Sequence, residues 1–152
     1  MQALIALFIS FATISGPKDC IKVFPEVDVI FFQAEAQLGI PKGILWQVVW
    51  TESKCKPFEV GASGETGLGQ IIPRDDTRYP SSWFNDRPLA KDLLNPQTNA
   101  RWTVNILYGY LKTCKKELAC ALAMYNEGTK PGKKGYTYAW RIINNTTNTF
   151  YP

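Results

Sequence analysis

The chain has 152 residues, 45% hydrophobic, 20% charged and 13% aromatic, with a formal net charge of +4; this fits one domain that buries roughly 68–70% of its unfolded surface, and excludes disorder and collagen-like repetition. Histidine is absent, which removes every Ser-His-Asp or Cys-His nucleophile arrangement and every histidine-containing zinc site, so acid–base chemistry falls to carboxylates, lysine, tyrosine or cysteine. The 17 Lys+Arg against 13 Asp+Glu are spread along the chain without a basic block or zinc knuckle, so no nucleic-acid partner, metal or cofactor is expected.

Ala3 to Ile14 form an almost wholly apolar run, ended by Ser15-Gly16-Pro17-Lys18-Asp19. About 12 residues are too few to span a bilayer, which takes ~20, but suit a secretory h-region, with Ser10, Ala12, Thr13, Ser15 and Gly16 as small residues for cleavage. No Lys or Arg precedes the run. Residues 1–16 therefore read as a signal peptide or N-terminal hydrophobic anchor, and residues 20–150 as the domain. An exported protein is expected: periplasmic, extracellular or virion-associated, a monomer, with membrane association through this segment. The alternative is a hydrophobic first helix docked on the domain.

Four cysteines follow: Cys20, Cys55, Cys114 and Cys120. Behind a signal-like start an even count favours disulfides, with three possible pairings, and the spacing matches no zinc ribbon. Cys114 and Cys120 flank a short charged stretch between two helical patterns, which favours Cys114–Cys120 and Cys20–Cys55. In a reducing compartment all four would read as buried thiols.

Pro25 opens a helical pattern with Val27, Ile30, Phe31, Ala34 and Leu38 on one face, and Gly39 ends it. Pro41 suits the first turn of a second helix with Ile44, Leu45, Val48 and Val49 on its apolar face. From Lys54 to Arg101 the chain is rich in Gly, Pro, Ser, Asp and Asn and reads as loop with short helical turns, with room for a small β-hairpin over Glu59 to Ile72. Helix resumes at Trp102 to Lys112, Leu118 to Tyr125 and Tyr136 to Ile143. The fold class is mainly α, a helical domain whose long glycine-rich middle loop has the length of a functional one.

Glu52 is the leading candidate for chemistry. It lies four positions after Val48 and three after Val49, so it projects from the apolar face at the C-terminal end of its helix. Partial desolvation and the negative end of the helix dipole both favour its protonated form, as a proton donor to a glycosidic oxygen requires. On spacing alone a glutamate that reaches water is the commoner outcome. The next loop, Gly61-Ala62-Ser63-Gly64-Glu65-Thr66-Gly67-Leu68-Gly69-Gln70, lets backbone approach a ligand, and Gln70 can bond a polar, uncharged group such as an acetamido sugar. It lacks the Lys-Ser/Thr of a phosphate-binding loop. Composition alone fits an ordinary glycine-rich turn equally well.

Taken together, Glu52-Ser53, Pro57, Gly67-Leu68-Gly69-Gln70, Leu94-Asn95-Pro96-Gln97-Thr98-Asn99, Asn105-Ile106-Leu107-Tyr108-Gly109-Tyr110-Leu111, Ala121-Leu122-Ala123-Met124-Tyr125-Asn126-Glu127-Gly128 and Tyr138 with Ile142 carry a resemblance. The chain resembles the lytic transglycosylase domain of the lysozyme superfamily, the soluble-transglycosylase-like or goose-type branch, over roughly residues 27 to 143. The resemblance implies a lysozyme-like α+β fold around a glycan cleft, Glu52 as catalytic acid, and peptidoglycan glycan strands as partner. It implies Gln70 and Tyr125 beside Glu52, and substrate-binding positions at Ser53, Gly67, Asn126 and Tyr138, with Asn126 also bracing the loop after its helix. Where the family has Gly-Leu-Met-Gln this chain has Gly69, which predicts a roomier subsite. The second glutamate of some members is missing from Lys133-Lys134-Gly135-Tyr136.

Asp75 and Asp76 could supply a second carboxylate for hydrolysis, although solvated acids beside Arg74 and Arg78 describe them better. A transglycosylase needs one acid only, because the C6 hydroxyl of the sugar itself closes on C1. Three functions thus compete: a lytic transglycosylase of a phage or of a secretion or conjugation apparatus, a goose-type lysozyme, and a non-catalytic glycan-binding or scaffold domain. Trp46, Trp102 and Trp140 read as core, Trp83 and Tyr79 as cleft aromatics. Asn144 and Asn145 head sequons that matter only in a eukaryotic secretory pathway. Lys130, Lys133 and Lys134 form a basic loop that could meet anionic wall polymers.

Overall fold

The computed structural model describes residues 13–80 and 82–152. Their regular structure is helical: α1 (Pro17–Val23), α2 (Pro25–Leu38), α3 (Ile44–Ser53), α4 (Ala90–Leu93), α5 (Pro96–Thr113), α6 (Leu118–Glu127) and α7 (Lys133–Phe150). The expected leader or anchor lies outside the described residues up to residue 12. Among the described residues no helix is long and apolar enough to cross a membrane.

The core is organised around α3. Ile44 through Val49 are all buried, so this helix is enclosed by α1, α2 and α7 rather than laid on a surface, as continuous apolar sequence requires. Its first turn would leave amide groups without partners. Glu35 of α2 supplies them, its two carboxylate oxygens accepting from the Gly43 N–H at 3.0 Å and the Leu45 N–H at 2.9 Å. Pro41 therefore stands outside the helix instead of in its first turn: its carbonyl accepts from the Ile44 N–H at 3.3 Å, and the chain enters α3 through Gly43 at φ +96°. Phe31 meets Trp46 edge to face with ring centroids 5.0 Å apart, and the Trp46 Nε1–H donates to Asp28 at 2.8 Å.

The segment Ser15 to Asp19 that ends the apolar run leads into α1. Pro17 occupies the first helical turn, and Asp19 accepts from both the backbone and the hydroxyl of Ser15. Cys20 and Cys55 form a disulfide that ties α1 to the chain just beyond α3, and Cys114 and Cys120 form a second across the α5–α6 connection. Both are the pairings favoured by the sequence.

α6 packs between α5 and α7, and its buried Ala119, Ala121 and Ala123 keep the helices close. On α7 the buried positions are Gly135, Tyr138, Ala139, Ile142 and Thr146, one helical face. Trp140 falls off that stripe and is 53% exposed, so it is not core. Trp102 is half-buried at a groove, and only Trp46 of the three expected core tryptophans is buried. Asn144 and Asn145 are exposed on α7.

Between α3 and α5 the chain is held by turns and α4, with bridges pairing Val60 with Thr66 and Thr66 with Ile71 where a hairpin had room. α5 begins at Pro96, six positions before the expected Trp102, because Asn95 caps it: its side chain accepts from the Thr98 N–H at 3.0 Å. Asn followed by Pro is a start signal for a helix.

Candidate active site

The last turn of α3 delivers Glu52 to the floor of a cavity of about 490 Å³. α3 ends there because Lys54 and Cys55 both adopt positive φ, which turns the chain into the glycine-rich loop. The loop forms the facing wall, α5 and α6 the back. Glu65, Gln70, Tyr79, Trp83, Arg87, Tyr125 and Asn126 are among the lining residues.

The loop is pinned from behind. Ser53 Oγ, buried, is shared between the carbonyls of Leu68 at 2.8 Å and Val49 at 3.1 Å. Asn99, fully buried on α5, donates through Nδ2 to Thr66 and Leu93 carbonyls, each at 2.9 Å, and accepts from the Gly69 N–H at 2.8 Å. Gly67 has φ +78°, and a Cβ there would meet Asn99 and stand 2.5 Å from the Leu93 carbonyl. Glycine is needed for both its conformation and its lack of a side chain. Tyr125 Oη closes the arrangement by donating to the Gly69 carbonyl at 2.7 Å.

Gly69 does not make the site roomier, contrary to the sequence expectation. A Cβ at this position would run into Thr103 Oγ1 and lie 2.9 Å from Tyr125 Oη. The space that a methionine would claim is taken by the two hydroxyl-bearing side chains of α5 and α6.

Glu52 Oε1 accepts a 2.6 Å hydrogen bond from Tyr138 Oη, contributed by α7. Burial is the main influence on this carboxyl and opposes its charge; the Tyr138 bond works the other way, and the nearby charge of Glu65 adds to the burial effect. The net result is a pKa raised from 4.5 to about 7. Tyr125 and Tyr138 are held neutral, their pKa values pushed up by burial first and by Glu52 second, so both phenols remain donors.

The residues singled out from sequence fall into two groups. Glu52, Gln70, Tyr125 and Asn126 line the cavity together with Tyr79 and Trp83. Ser53, Gly67 and Tyr138 stand behind it, the first two supporting the loop and the third bonding Glu52. Gln70 Nε2 donates to the carbonyls of Glu59 and Gly67 at 3.1 and 3.0 Å, so its amide nitrogen holds the loop itself. Asn126 does not brace the loop after α6; its Oδ1 is buried without a hydrogen-bond partner. Glu127 takes that role, Oε2 accepting from Gly132 N–H at 2.8 Å and Gly135 N–H at 2.7 Å.

Asp75 and Asp76 are engaged elsewhere, Asp75 accepting from the Ala90 N–H at 2.8 Å and Asp76 pairing with Arg78 at 2.7 Å. The carboxylates that share the cavity with Glu52 are Glu127, whose Oε2 is taken by the Gly132 and Gly135 N–H groups, and Glu65. Sequence reasoning passed over Glu65 and over Arg87. An acid inside the very loop proposed to meet the ligand was the available signal for Glu65, whereas nothing local marks Arg87.

A helical domain with one desolvated carboxylic acid at the base of a polar, aromatic-edged cleft is the design of a lysozyme-like glycan-acting protein. The transglycosylase SLT domain family matches residues 29–145 of the chain. The chain belongs to this family, a lytic transglycosylase domain of the lysozyme-like superfamily that acts on peptidoglycan. No curated protein matches it.

Proposed function

We propose that this protein is an exported lytic transglycosylase that cleaves the MurNAc-β-1,4-GlcNAc bond of peptidoglycan and leaves a 1,6-anhydroMurNAc end. The observation that carries the reading is the state of Glu52: a carboxyl with a pKa of about 7 is present as acid and as base near neutrality, and both forms are needed in turn. Glu52 protonates the leaving glycosidic oxygen, and the acetamido group of the muramyl sugar stabilises the anomeric carbon. The carboxylate so formed removes the proton of the C6 hydroxyl as its oxygen closes on C1, restoring the acid. The nucleophile is tethered within the substrate, which supplies an effective concentration no free water reaches. Asn126 lines the cavity beside Glu52, and Trp83 and Tyr79 offer rings to a sugar face.

Residues 1–16 act as a leader or anchor and residues 20–150 as the catalytic domain. Two disulfides support an oxidising, extracytoplasmic setting. Hydrolysis is a second reading, favoured by Glu65, because a second carboxylate in the same cavity as the acid can activate a water. Digestion of purified peptidoglycan by the protein and by Glu52→Gln, with products read by mass spectrometry, separates these. We expect anhydromuramyl ends whose rate of formation drops on the order of 10³-fold in the variant. Reducing ends dependent on Glu52 would shift the assignment to hydrolysis, and the absence of any product would remove the enzyme reading altogether.

A further inference from the structure

Arg87 has no part in the reaction above, yet it occupies an unusual position. Its Nη1–H donates to the Ile72 carbonyl at 3.2 Å, and its Cζ lies 4.2 Å from the centroid of the Phe84 ring. One face and one donor of the guanidinium are thereby used, and four N–H donors remain. The ion pairs among the described residues, Lys22–Asp19 and Arg78–Asp76, do not include it. Burial, the main influence on its pKa, lowers it from the ordinary value, the mark of a cation held where water solvates it poorly. The charge of Asp86 offsets this only in part and forms no ion pair with it, and a half-buried charge without a paired counter-ion is a cost to the fold unless something supplies the anion.

Its location says where that anion comes from. Arg87 lines the Glu52 cavity and also a second groove, of about 860 Å³, that runs along one face of α5 past Trp102, Asn105 and Gly109. Trp83, Phe84, Ile106 and Tyr110 border both spaces, so the guanidinium sits at their junction. The fork of an arginine matches a carboxylate bidentately, and stacking on Phe84 fixes the plane of that fork before a ligand arrives.

We propose that Arg87 is the anchor for a substrate carboxylate, the acid borne by the side chain on the muramyl sugar, with the α5 groove receiving what that side chain carries. This rests on the peptidoglycan reading above. The acid has two sources, the lactyl group itself when it carries no peptide, or a carboxylate of an attached stem peptide. Either one lies to the side of the glycan chain, as Arg87 lies to the side of Glu52's cavity. The assignment makes Arg87 a determinant of which glycan strands are held, and leaves the bond-breaking step to Glu52.

The test is binding, with cleavage read separately. Dissociation constants are measured for the wild type, Arg87→Met and Arg87→Lys on a GlcNAc-MurNAc disaccharide peptide and on the peptide-free disaccharide with its lactyl acid exposed, each as the free acid and with every carboxyl capped as a methylamide. Arg87→Met keeps the unbranched stem over Phe84 and loses the charge, and thermal melts confirm that each variant folds. Wild-type affinity should fall roughly tenfold or more on capping, the worth of a charge-assisted pair. Arg87→Met should bind the free acid that much more weakly and ignore the cap, and Arg87→Lys should fall between. The lactyl acid is already an amide in the disaccharide peptide, so an Arg87-dependent capping effect on that compound assigns the stem peptide, and one confined to the peptide-free disaccharide assigns the lactyl carboxylate. Equal sensitivity to capping in wild type and Arg87→Met on both compounds overturns the proposal, even where peptidoglycan is cleaved. Binding that depends on Arg87 and on the carboxylate without any cleavage would uphold it while removing the catalytic reading.

Discussion

The two walls of the cleft are held by different physics. On one side α3, α6 and α7 pack through buried apolar side chains such as Leu45, Val49, Leu122 and Ile142. On the other, the loop from Gly61 to Ile72 contributes few apolar anchors, chiefly Leu68 and Ile71, and is fixed by side chains that bond its backbone: Asn99, Ser53, Tyr125 and Gln70. Apolar packing is non-directional and tolerates small shifts, whereas hydrogen bonds fix the positions of particular carbonyls and amides. Glu52 stands at the seam. The helical wall takes it out of water, and the loop wall sets how near a ligand can come. The sharpest way to break this contrast is Asn99→Ala, which removes three bonds to Thr66, Leu93 and Gly69 at once. At about 1 kcal/mol each, with buried groups left unpaired, the loss is about 3 kcal/mol or more. Amide hydrogen exchange should accelerate at Gly69 and its neighbours well before α3 and α7 respond. Uniform acceleration across both walls would show that they are one cooperative unit.

The seam itself carries a measurable tension. Folded Glu52 has its pKa raised from 4.5 to about 7, so the folded state binds a proton that the unfolded chain has already released over that interval. The sign follows: below pH 4.5 the carboxyl is neutral in both states and costs nothing; between pH 4.5 and 7 the penalty grows; above pH 7 it is complete. At about 1.4 kcal/mol per unit, wild type is less stable at pH 8 by about 3 kcal/mol than it would be with a neutral side chain there. Glu52→Gln supplies one, and its carbonyl oxygen can still accept from Tyr138. Its melting temperature should exceed that of wild type by roughly 5 °C or more at pH 8, with the gap closing near pH 4. A gap independent of pH would mean that the carboxyl is not desolvated. The same change abolishes the proposed acid, so the most stable variant should be the inactive one.

How much of this was legible in the sequence divides along the same seam. α2 announced itself through Pro25, an apolar stripe and Gly39, and the structure has it at Pro25–Leu38 with Gly39 as its left-handed cap. Glu52 followed from its register with Val48 and Val49, since three and four residues along a helix share a face. Both are local signals. The Gly69 expectation failed because the space beside it is filled by Thr103 and Tyr125, which are distant in sequence and meet only after α5 and α6 pack. Trp140 was misread because residue type suggested burial while its place on α7 lies off the buried stripe. Glu65 and Arg87 escaped for one reason: a loop residue has no periodicity to say which way it faces, so only the folded chain brings them beside Glu52. The start of α5 at Asn95-Pro96 was readable, its cap obscured by the loop-like composition around it.

The smallest effect isolates the single bond that crosses from α7 to the acid. Tyr138 donates to Glu52 Oε1 at 2.6 Å, and a donor stabilises the carboxylate over the acid. It thus opposes the burial that raises the pKa, and it keeps the group able to give up its proton as well as hold it. Tyr138→Phe removes the donor and leaves the ring, which is 7% exposed, in its place. The Glu52 pKa should then rise further above 7, moving the alkaline limb of the pH–rate profile to higher pH. The global stability loss is about 1 kcal/mol. Only the alkaline limb moves with Glu52, because the carboxylate that removes the C6 proton is the one left when Glu52 protonates the leaving oxygen and is not drawn from the resting enzyme. A profile displaced downward without moving along the pH axis would assign Tyr138 to packing alone. A limb shifted to lower pH would mean that burial is not what holds the acid protonated.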